Sequence, residues 1–166
     1  MVRKARPSDA TAIYGLINIY AQRGLLLPRS LVSIYDRIRD FWVFEEEGKV
    51  LGCVALQIVW EDLAEIRSLA VDEARKGEGI GSVLVEACLR EAEELGIRRV
   101  FSLTYAKDFF ERLGFKTIDK KELPQKVWGD CVSCPKFPGC DEVAVILDLN
   151  GDTLTLSRES IKIGRR

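Results

Sequence analysis

Three closely spaced glycines are the first residues whose spacing suggests a chemistry. They stand in Lys76-Gly77-Glu78-Gly79-Ile80-Gly81, between an apolar strand-like run and an amphipathic helical pattern. Glycine lets a backbone approach an anion, and a helix start offers unpaired N–H groups and a positive dipole end. The pattern G-x-x-x-x-G-K-[ST] is absent, and a G-x-G-x-x-G fingerprint would need glycine where Ser82 or Leu84 stands. The turn is predicted to bind phosphate; glycines that serve only helix packing are the alternative.

The composition limits which groups can carry catalysis. The chain has 166 residues and no histidine, which excludes Ser-His-Asp and Cys-His machinery and every histidine-containing metal site. Proton transfer is left to carboxylates, lysine, tyrosine, cysteine, backbone or water. A net charge of −1 argues against nucleic acid as the main partner. No apolar run approaches the roughly 20 residues of a membrane span, and no signal-peptide core is found, so a cytoplasmic location is expected.

The elements that must position the glycine turn follow from hydrophobic periodicity. A helix is predicted from Ser8 and Asp9 through Tyr20. The remaining predicted elements are helices at 31–38, 80–95 and 107–113, and strands at 41–45, 49–60, 64–71, 98–103, after Phe115 and at 142–149. This order predicts an α/β (α+β) fold with a mixed, mostly antiparallel central sheet flanked by helices. One domain is expected over 1–149, and 150–166 remains an unassigned extension.

Two ordered segments resemble the GNAT superfamily of N-acetyltransferases. Glu65-Ile66-Arg67-Ser68-Leu69-Ala70-Val71 with the glycine turn resembles its strand and pyrophosphate loop, and Phe109-Phe110-Glu111-Arg112-Leu113-Gly114-Phe115 its later F-Y-E-x-x-G-F motif. The resemblance implies acetyl-CoA as the acetyl donor. It places the pantetheine arm on backbone groups of Leu69, Ala70 and Val71, and the pyrophosphate on the amides of Lys76, Gly77, Glu78, Gly79, Ile80, Gly81 and Ser82.

The sequence departs from the family pattern at two positions. Lys76 replaces the usual first residue of R/Q-x-x-G-x-G/A, which keeps a charge and an amide but loses the guanidinium fork. Phe110 stands where the family often has tyrosine, and it has no hydroxyl to act as a general acid. Either the acid is dispensable, because a CoA thiol has a pKa of about 8.5, or Tyr105 substitutes for it.

The amine acceptor needs a base, and Glu65 is the candidate. Its place at the start of an E-I-x-x-x-A-[IV] strand resembles that of the catalytic glutamate in the histone-acetyltransferase branch of GNAT. The alternative is a glutamate that is merely solvated or paired with Arg67, which lies two residues on and therefore on the same face of a regular strand.

Basic residues could select the acceptor. Arg67 could clamp a carboxylate in bidentate fashion, Arg29 is a second candidate clamp, and Lys107 is a third. The pattern is similar to the short, single-domain N-acetylglutamate synthases on four segments: Leu26-Leu27-Pro28-Arg29, Glu65 to Val71, Leu103-Thr104-Tyr105 with Phe109 to Phe115, and Val127 to Pro138. That similarity implies L-glutamate as acceptor and a role in arginine biosynthesis.

A loop with Cys131, Cys134 and Cys140 has the spacing C-x2-C-x5-C. Packed or bridged thiols, a metal clip and a redox switch are the three alternatives, and no metal is predicted, because a structural zinc site wants four ligands. Two other functions stay open: acetylation of a protein N-terminus or lysine, and a non-catalytic CoA-binding sensor. A homodimer is left open as well.

Overall fold

The computed structural model describes residues 1–123 and 141–149. The helices are α1 (Ala10–Gln22), α2 (Leu31–Asp36), α3 (Ile80–Glu94) and α4 (Lys107–Arg112), and the strands are β1 (Val2–Lys4), β2 (Phe41–Glu46), β3 (Lys49–Trp60), β4 (Leu63–Val71), β5 (Arg99–Thr104), β6 (Lys116–Ile118) and β7 (Val143–Asp148). Hydrogen bonds join the strands in the order β1-β2-β3-β4-β5-β7-β6. Within these residues, no helix is long and apolar enough to cross a bilayer.

The sheet is mixed and mostly antiparallel, which confirms the predicted fold class. The pairs β1–β2, β2–β3, β5–β7 and β6–β7 are antiparallel, whereas β4 and β5 are parallel. Strand β1 was not predicted, because the first element that the sequence pattern indicates is the helix that begins at Ser8 and Asp9. A three-residue strand with Arg3 and Lys4 shows no apolar alternation, and it is specified instead by its pairing with β2, where Val2 faces Phe44.

The chain divides into two compact units. The first unit comprises Met1–Gln57 and Ile66–Glu91. The predicted apolar stripe of α1 is buried in it, because residues three or four apart lie on one face of a helix. The core cluster of this unit consists of Ala10, Ile13, Leu16, Ile17, Tyr20, Ile34, Phe41, Val43, Cys53, Ala55 and Ala70.

The second unit comprises Ile58–Glu65 and Ala92–Arg166, of which 58–65, 92–123 and 141–149 are described. Its core cluster consists of Val59, Leu63, Phe101, Leu123 and Ala144. Strand β5 is paired on both edges here, in parallel with Leu63–Glu65 and antiparallel with all six residues of β7. A strand paired on both edges is a rigid support, and Glu65 is held by it in register with Phe101.

A charged network ties β1 to the start of α1 in the first unit. The Arg3 guanidinium donates to both carboxylate oxygens of Asp9, at 2.8 and 3.0 Å, and to Glu45 Oε1 at 2.7 Å. Asp9 also accepts the Arg6 N–H at 2.7 Å and is only 6% exposed. The hydrogen bond from Arg3 is the main cause that lowers the pKa of Asp9, against the opposing effect of burial.

Asp9→Asn should therefore destabilise the fold at neutral pH by about 1.5–3 kcal/mol, the usual worth of hydrogen bonds to a charged group. The pKa of Asp9 is lower in the folded chain, so its contribution is present above the unfolded value of about 3.9 and is lost as pH falls through the folded value. Urea unfolding at pH 7 and pH 3 should show the variant approaching the wild type at the lower pH. Asp36→Asn, at an exposed carboxylate, serves as control; an equal loss in both variants would contradict the assignment.

Candidate active site

The glycine turn lies between β4 and α3 in the first unit. Asp72 Oδ1 accepts the Ala74 N–H at 2.9 Å and begins a 3₁₀ turn over Glu73–Arg75. The backbone then extends at Lys76 and enters the left-handed region at Gly77, with φ of 84°, and at Gly79, with φ of 85°. Residues with a side chain rarely adopt such angles, so both glycines are required by the conformation of the turn.

The turn is open on its outer side. A Cβ built on Gly77 or Gly79 meets no atom within 4 Å. Lys76, Gly77, Glu78 and Gly79 are exposed, and α3 begins directly afterwards at Ile80 and runs for 15 residues. Exposed backbone at the start of a long helix is suited to bind an anion. These residues therefore fit the pyrophosphate of a CoA molecule.

A third glycine, Gly52 on β3, seats the first turn of α3. A Cβ at this position would lie 3.0 Å from both Ile80 Cγ2 and Leu84 Cδ1. Real Cβ atoms do not tolerate such distances without a shift, so the absence of a side chain lets the helix approach the strand. Gly52 thus allows the first turn of α3 to pack closely on β3.

Charged side chains around the turn are paired with one another. Arg75 Nη2 lies 2.6 Å from Glu46 Oε2 and 2.9 Å from Glu78 Oε1, and these two carboxylates raise the pKa of Arg75. A carboxylate at Glu78 would repel a bound phosphate, and its pairing with Arg75 offsets that repulsion. Arg75 had no predicted role, although opposite charges three residues apart were a usable signal in the sequence.

Arg67, the predicted carboxylate clamp, lies in the part of β4 that belongs to the first unit. Its Nη1 donates to Gln57 Oε1 at 2.9 Å, and the side chain is half-buried. A guanidinium has five N–H donors in a rigid fork, so a hydrogen bond at one nitrogen orients the whole group. Gln57, for which the sequence suggested no role, therefore sets the direction of the predicted clamp.

The next residue, Ser68, interrupts the regular strand. Its φ is 56°, and its carbonyl oxygen lies 3.5 Å from Cys53 Sγ. The regular alternation of side chains, which would put Glu65 and Arg67 on one face, therefore does not continue past Arg67. A left-handed residue inside a strand re-aims the peptide groups on either side of it, which is a common device beside functional sites.

Arg29 is packed rather than merely solvated. Its guanidinium carbon lies 5.1 Å from the centre of the Phe41 ring, and its Nε and Nη2 are 3.4 and 3.3 Å from Ser33 Oγ. The aromatic face and the hydroxyl both restrict the rotamers of this long side chain. Arg29 is thus held in the first unit, as Arg67 is.

Glu65, Tyr105 and Lys107 lie in the second unit. Glu65 is half-buried and opposite Phe101 in the parallel ladder. Tyr105 follows the last residue of β5 and is half-buried, and Lys107 is the exposed first residue of α4. The structure thus gives Glu65 and Tyr105 partly sheltered positions at the two neighbouring strands, and it leaves Lys107 in solvent.

Phe110, at the position of the family's tyrosine, is a core residue. It is 2% exposed and makes edge-to-face contacts with Phe109 and Phe115, each with 5.1 Å between ring centres. An aromatic cluster of this kind is favourable for apolar rings and unfavourable for a buried hydroxyl without a partner. Phe110 is therefore explained by packing.

The two described cysteines are free, buried thiols. Burial raises the pKa of Cys53 to about 12 and is also the main cause that raises the pKa of Cys88. Thiols of this kind are poor nucleophiles and poor metal ligands at neutral pH. The part of the chain that the structure describes contains no group of three residues able to hold a metal ion, and Cys131, Cys134 and Cys140 lie outside it.

Comparison with known proteins identifies the family. The sequence profile described as "Acetyltransferase (GNAT) family" matches residues 15–115. An uncharacterised N-acetyltransferase of Chlorobaculum tepidum is 46% identical over 148 residues, which cover 89% of this chain and 96% of that protein. An amino-acid acetyltransferase of Mycobacterium tuberculosis is 43% identical over 133 residues, covering 78% and 76%.

Solved structures agree with these relatives. A Mycobacterium tuberculosis protein in complex with CoA superposes with a TM-score of 0.79 at 36% sequence identity. The alignment covers 90% of this chain and 99% of the Mycobacterium tuberculosis chain. N-acetylglutamate synthase from Neisseria gonorrhoeae, complexed with coenzyme A and N-acetyl-glutamate, superposes with a TM-score of 0.83 at 29% sequence identity. The alignment covers 91% of this chain and 35% of the synthase.

The chain belongs to the GNAT family of acetyltransferases. It is an N-acetyltransferase enzyme that uses acetyl-CoA as its donor, and its relatives and structural neighbours include amino-acid acetyltransferases. The predicted donor and family are thereby confirmed, whereas the roles of individual residues remain predictions.

Gly79→Val tests the phosphate-binding turn. The substitution strains the left-handed backbone and covers the exposed amides, so acetyl-CoA affinity should fall by about 100-fold or more, as expected for the loss of two charge-assisted hydrogen bonds. Gly96→Val is a matched control, since Gly96 has φ of 80° and no atom within 4 Å of a built Cβ but lies beyond the other end of α3. Calorimetric titration of both folded variants checks this; normal binding by Gly79→Val would remove the turn from the donor site.

Proposed function

We propose that this enzyme transfers the acetyl group of acetyl-CoA to the α-amine of L-glutamate. The observation that carries the proposal is the orientation of Arg67: it lies two residues from Glu65 in β4, and Gln57 directs its guanidinium. A guanidinium recognises a carboxylate in bidentate fashion, which suits an amino-acid acceptor. The Neisseria gonorrhoeae synthase with bound N-acetyl-glutamate supports glutamate as the acceptor, and the amino-acid acetyltransferase relatives support an amino acid.

A second cation is needed because glutamate has two carboxylates. Arg29 is the proposed partner of Arg67, since Phe41 and Ser33 hold it in the same unit. Lys107 is a weaker third candidate because it is exposed on a short helix. Two restrained arginines discriminate a dicarboxylate from a neutral amino acid, because a neutral side chain would leave one of them without an anionic ligand.

The donor is proposed to lie along the end of β4 and the glycine turn. Backbone groups of Leu69, Ala70 and Val71 would bind the pantetheine arm. The amides that would hold the pyrophosphate belong to Lys76, Gly77, Glu78, Gly79, Ile80, Gly81 and Ser82. The turn conformation and its open outer side support this placement.

Glu65 and Tyr105 are the proposed proton-transfer groups. Acetyl-CoA supplies the activated acetyl group as a thioester. Glu65 accepts the proton of the substrate ammonium, directly or through water, so that the neutral amine can form the C–N bond as the C–S bond breaks. Tyr105 donates a proton to the leaving sulfur and regains one from the second N–H proton that the nitrogen loses as the amide forms. Alternatively the sulfur leaves as a thiolate, which a thiol pKa of about 8.5 permits, and that second proton passes to solvent.

The cellular role follows from the acceptor. Acetylation of glutamate is the proposed entry into arginine biosynthesis, in the cytoplasm, by a single domain over 1–149.

A panel of amino acids tests the acceptor by the steady-state release of free CoA. L-Glutamate should give the highest kcat/KM. A higher value for another amino acid would replace glutamate, and no release with any of them would favour a CoA-binding sensor or a protein acetyltransferase.

Glu65→Gln tests the base. The amide keeps the shape of the side chain and cannot accept the proton, so kcat should fall by about 10²- to 10⁴-fold at neutral pH with little change in acetyl-CoA affinity. Higher pH should restore part of the rate, because more of the substrate amine is then neutral. Glu61→Gln, at the exposed turn that precedes β4, is the control. A Glu65→Gln enzyme that turns over like this control would exclude Glu65 as base.

Arg67→Lys tests the clamp while charge is retained. A lysine cannot form two parallel hydrogen bonds with a carboxylate, and loss of one charged contact costs about 1.5–3 kcal/mol, so kcat/KM for glutamate should fall by roughly 10- to 150-fold. The Kd of acetyl-CoA should stay constant. Arg39→Lys changes an exposed arginine and is the control. If melting temperature and both affinities fall together, Arg67 is structural; unaltered glutamate kinetics in a stable variant would place the acceptor elsewhere.

A further inference from the structure

Tyr20, near the end of α1, makes three polar contacts although it is 6% exposed. Its hydroxyl donates to the carbonyl oxygen of Val71 at 2.5 Å. The Lys76 ammonium lies 4.7 Å from the centre of the Tyr20 ring, and the Arg23 guanidinium carbon lies 5.9 Å from the same point. All four residues belong to the first unit. A buried tyrosine needs a hydrogen-bond partner in any case, but here that partner is the end of β4 and the ring contacts Lys76, so both contacts flank the start of the glycine turn.

The hydroxyl of Tyr20 fixes the end of β4. Val71 is the last residue of that strand, and the following residue, Asp72, donates its N–H to the carbonyl oxygen of Leu51 at 2.8 Å. Consecutive residues are therefore anchored to α1 and to β3 at the point where the chain leaves the strand. This double anchor sets the direction from which the chain enters the glycine turn.

The ring of Tyr20 acts on the other side of the same turn. Lys76 is exposed, and a long side chain in solvent samples many rotamers. The nearby carboxylates of Glu73 and Glu78 form ion pairs with Arg23 and Arg75. The aromatic face therefore supplies an attraction that restricts the Lys76 ammonium to one side of the turn.

We propose that Tyr20 is a positioning residue for the donor. Its hydroxyl sets the Val71 peptide and its ring holds the Lys76 ammonium, so one side chain aligns the two stretches proposed to bind the pantetheine arm and the pyrophosphate. This inference rests on the proposed placement of acetyl-CoA at β4 and the glycine turn. It assigns to α1 a function in donor binding that neither the glycine motif nor the strand before it contains.

Two substitutions separate the hydroxyl from the ring. Tyr20→Phe removes the hydrogen bond and keeps the aromatic face, and it should raise the Kd of acetyl-CoA by about 2- to 10-fold, as expected for one hydrogen bond. Tyr20→Leu removes both contacts and should raise the Kd further. Tyr14→Phe, at an exposed tyrosine on the same helix, should leave the Kd unchanged.

A double-mutant cycle with Lys76→Gln gives a readout that a merely structural role would not move. Lys76→Gln should raise the Kd of acetyl-CoA by about 2- to 5-fold in the wild-type and Tyr20→Phe proteins, which keep the ring. In Tyr20→Leu the same change should cost less than about twofold, because the ammonium is no longer held in place. The glutamate KM at saturating acetyl-CoA should be the same in all of these proteins.

The measured Kd values separate a failure of the proposed Tyr20 role from a failure of the proposed donor site. Tyr20→Phe with an unchanged Kd, together with an equal Lys76→Gln penalty in all three backgrounds, would overturn the inference. Because Tyr20→Leu could fail to fold, Tyr20→Phe and its melting temperature decide the hydroxyl part on their own. If Gly79→Val also binds acetyl-CoA normally, the proposed donor site itself is wrong; if Gly79→Val loses binding while the Tyr20 variants keep it, only the role of Tyr20 fails.

Discussion

The proposed donor site depends on a backbone that enters the left-handed region twice within three residues, at Gly77 and Gly79. For residues with a Cβ, that region costs roughly 1–2 kcal/mol per residue, so both positions strongly favour glycine. The turn presents amides because its glycines leave no side chain between them and solvent. Other parts of the first unit position the start of α3, and Gly52 on β3 leaves room for its first turn.

Charge is balanced around the turn instead of being concentrated in it. Glu78 lies within the predicted phosphate loop, and Arg75 shares its charge between Glu78 and Glu46. Backbone dipoles can therefore dominate the recognition of an anion without a surplus of basic side chains, which agrees with a chain whose net charge is −1. Lys76, directed by an aromatic ring, adds a single positive charge at the edge of this arrangement.

Most of the helices and strands could be predicted because their apolar residues recur at a regular spacing. This local spacing is visible in the apolar stripe of α1, in the β2–β3 hairpin and in the helix after the glycines. Strand β1 has no such signal, since its existence depends on a partner more than 35 residues away in β2. The left-handed Ser68 was equally hidden, because serine shows no preference for that conformation and the contact with Cys53 is non-local.

The candidate site divides in the same way. The glycine turn was readable because its residue types are dictated by backbone geometry, whereas Gln57, Arg75 and Tyr20 gain their importance from neighbours in space. Phe110 shows the opposite case: the sequence marked the missing hydroxyl, and the structure supplies the packing that explains it. A sequence therefore indicates which reactive or binding groups are present more readily than which side chains orient those groups.

The parallel pairing of Leu63–Glu65 with Arg99–Phe101 has a consequence for the order of folding. The stretch 66–98, which contains the glycine turn and α3, is the connection that this pairing must close, so its entropy has to be lost before the ladder gains any hydrogen bond. Non-local contacts of this kind form late, after local hairpins and helices. A nascent chain in which residue 99 has not yet emerged from the ribosome thus carries the whole proposed donor motif without the ladder that holds Glu65.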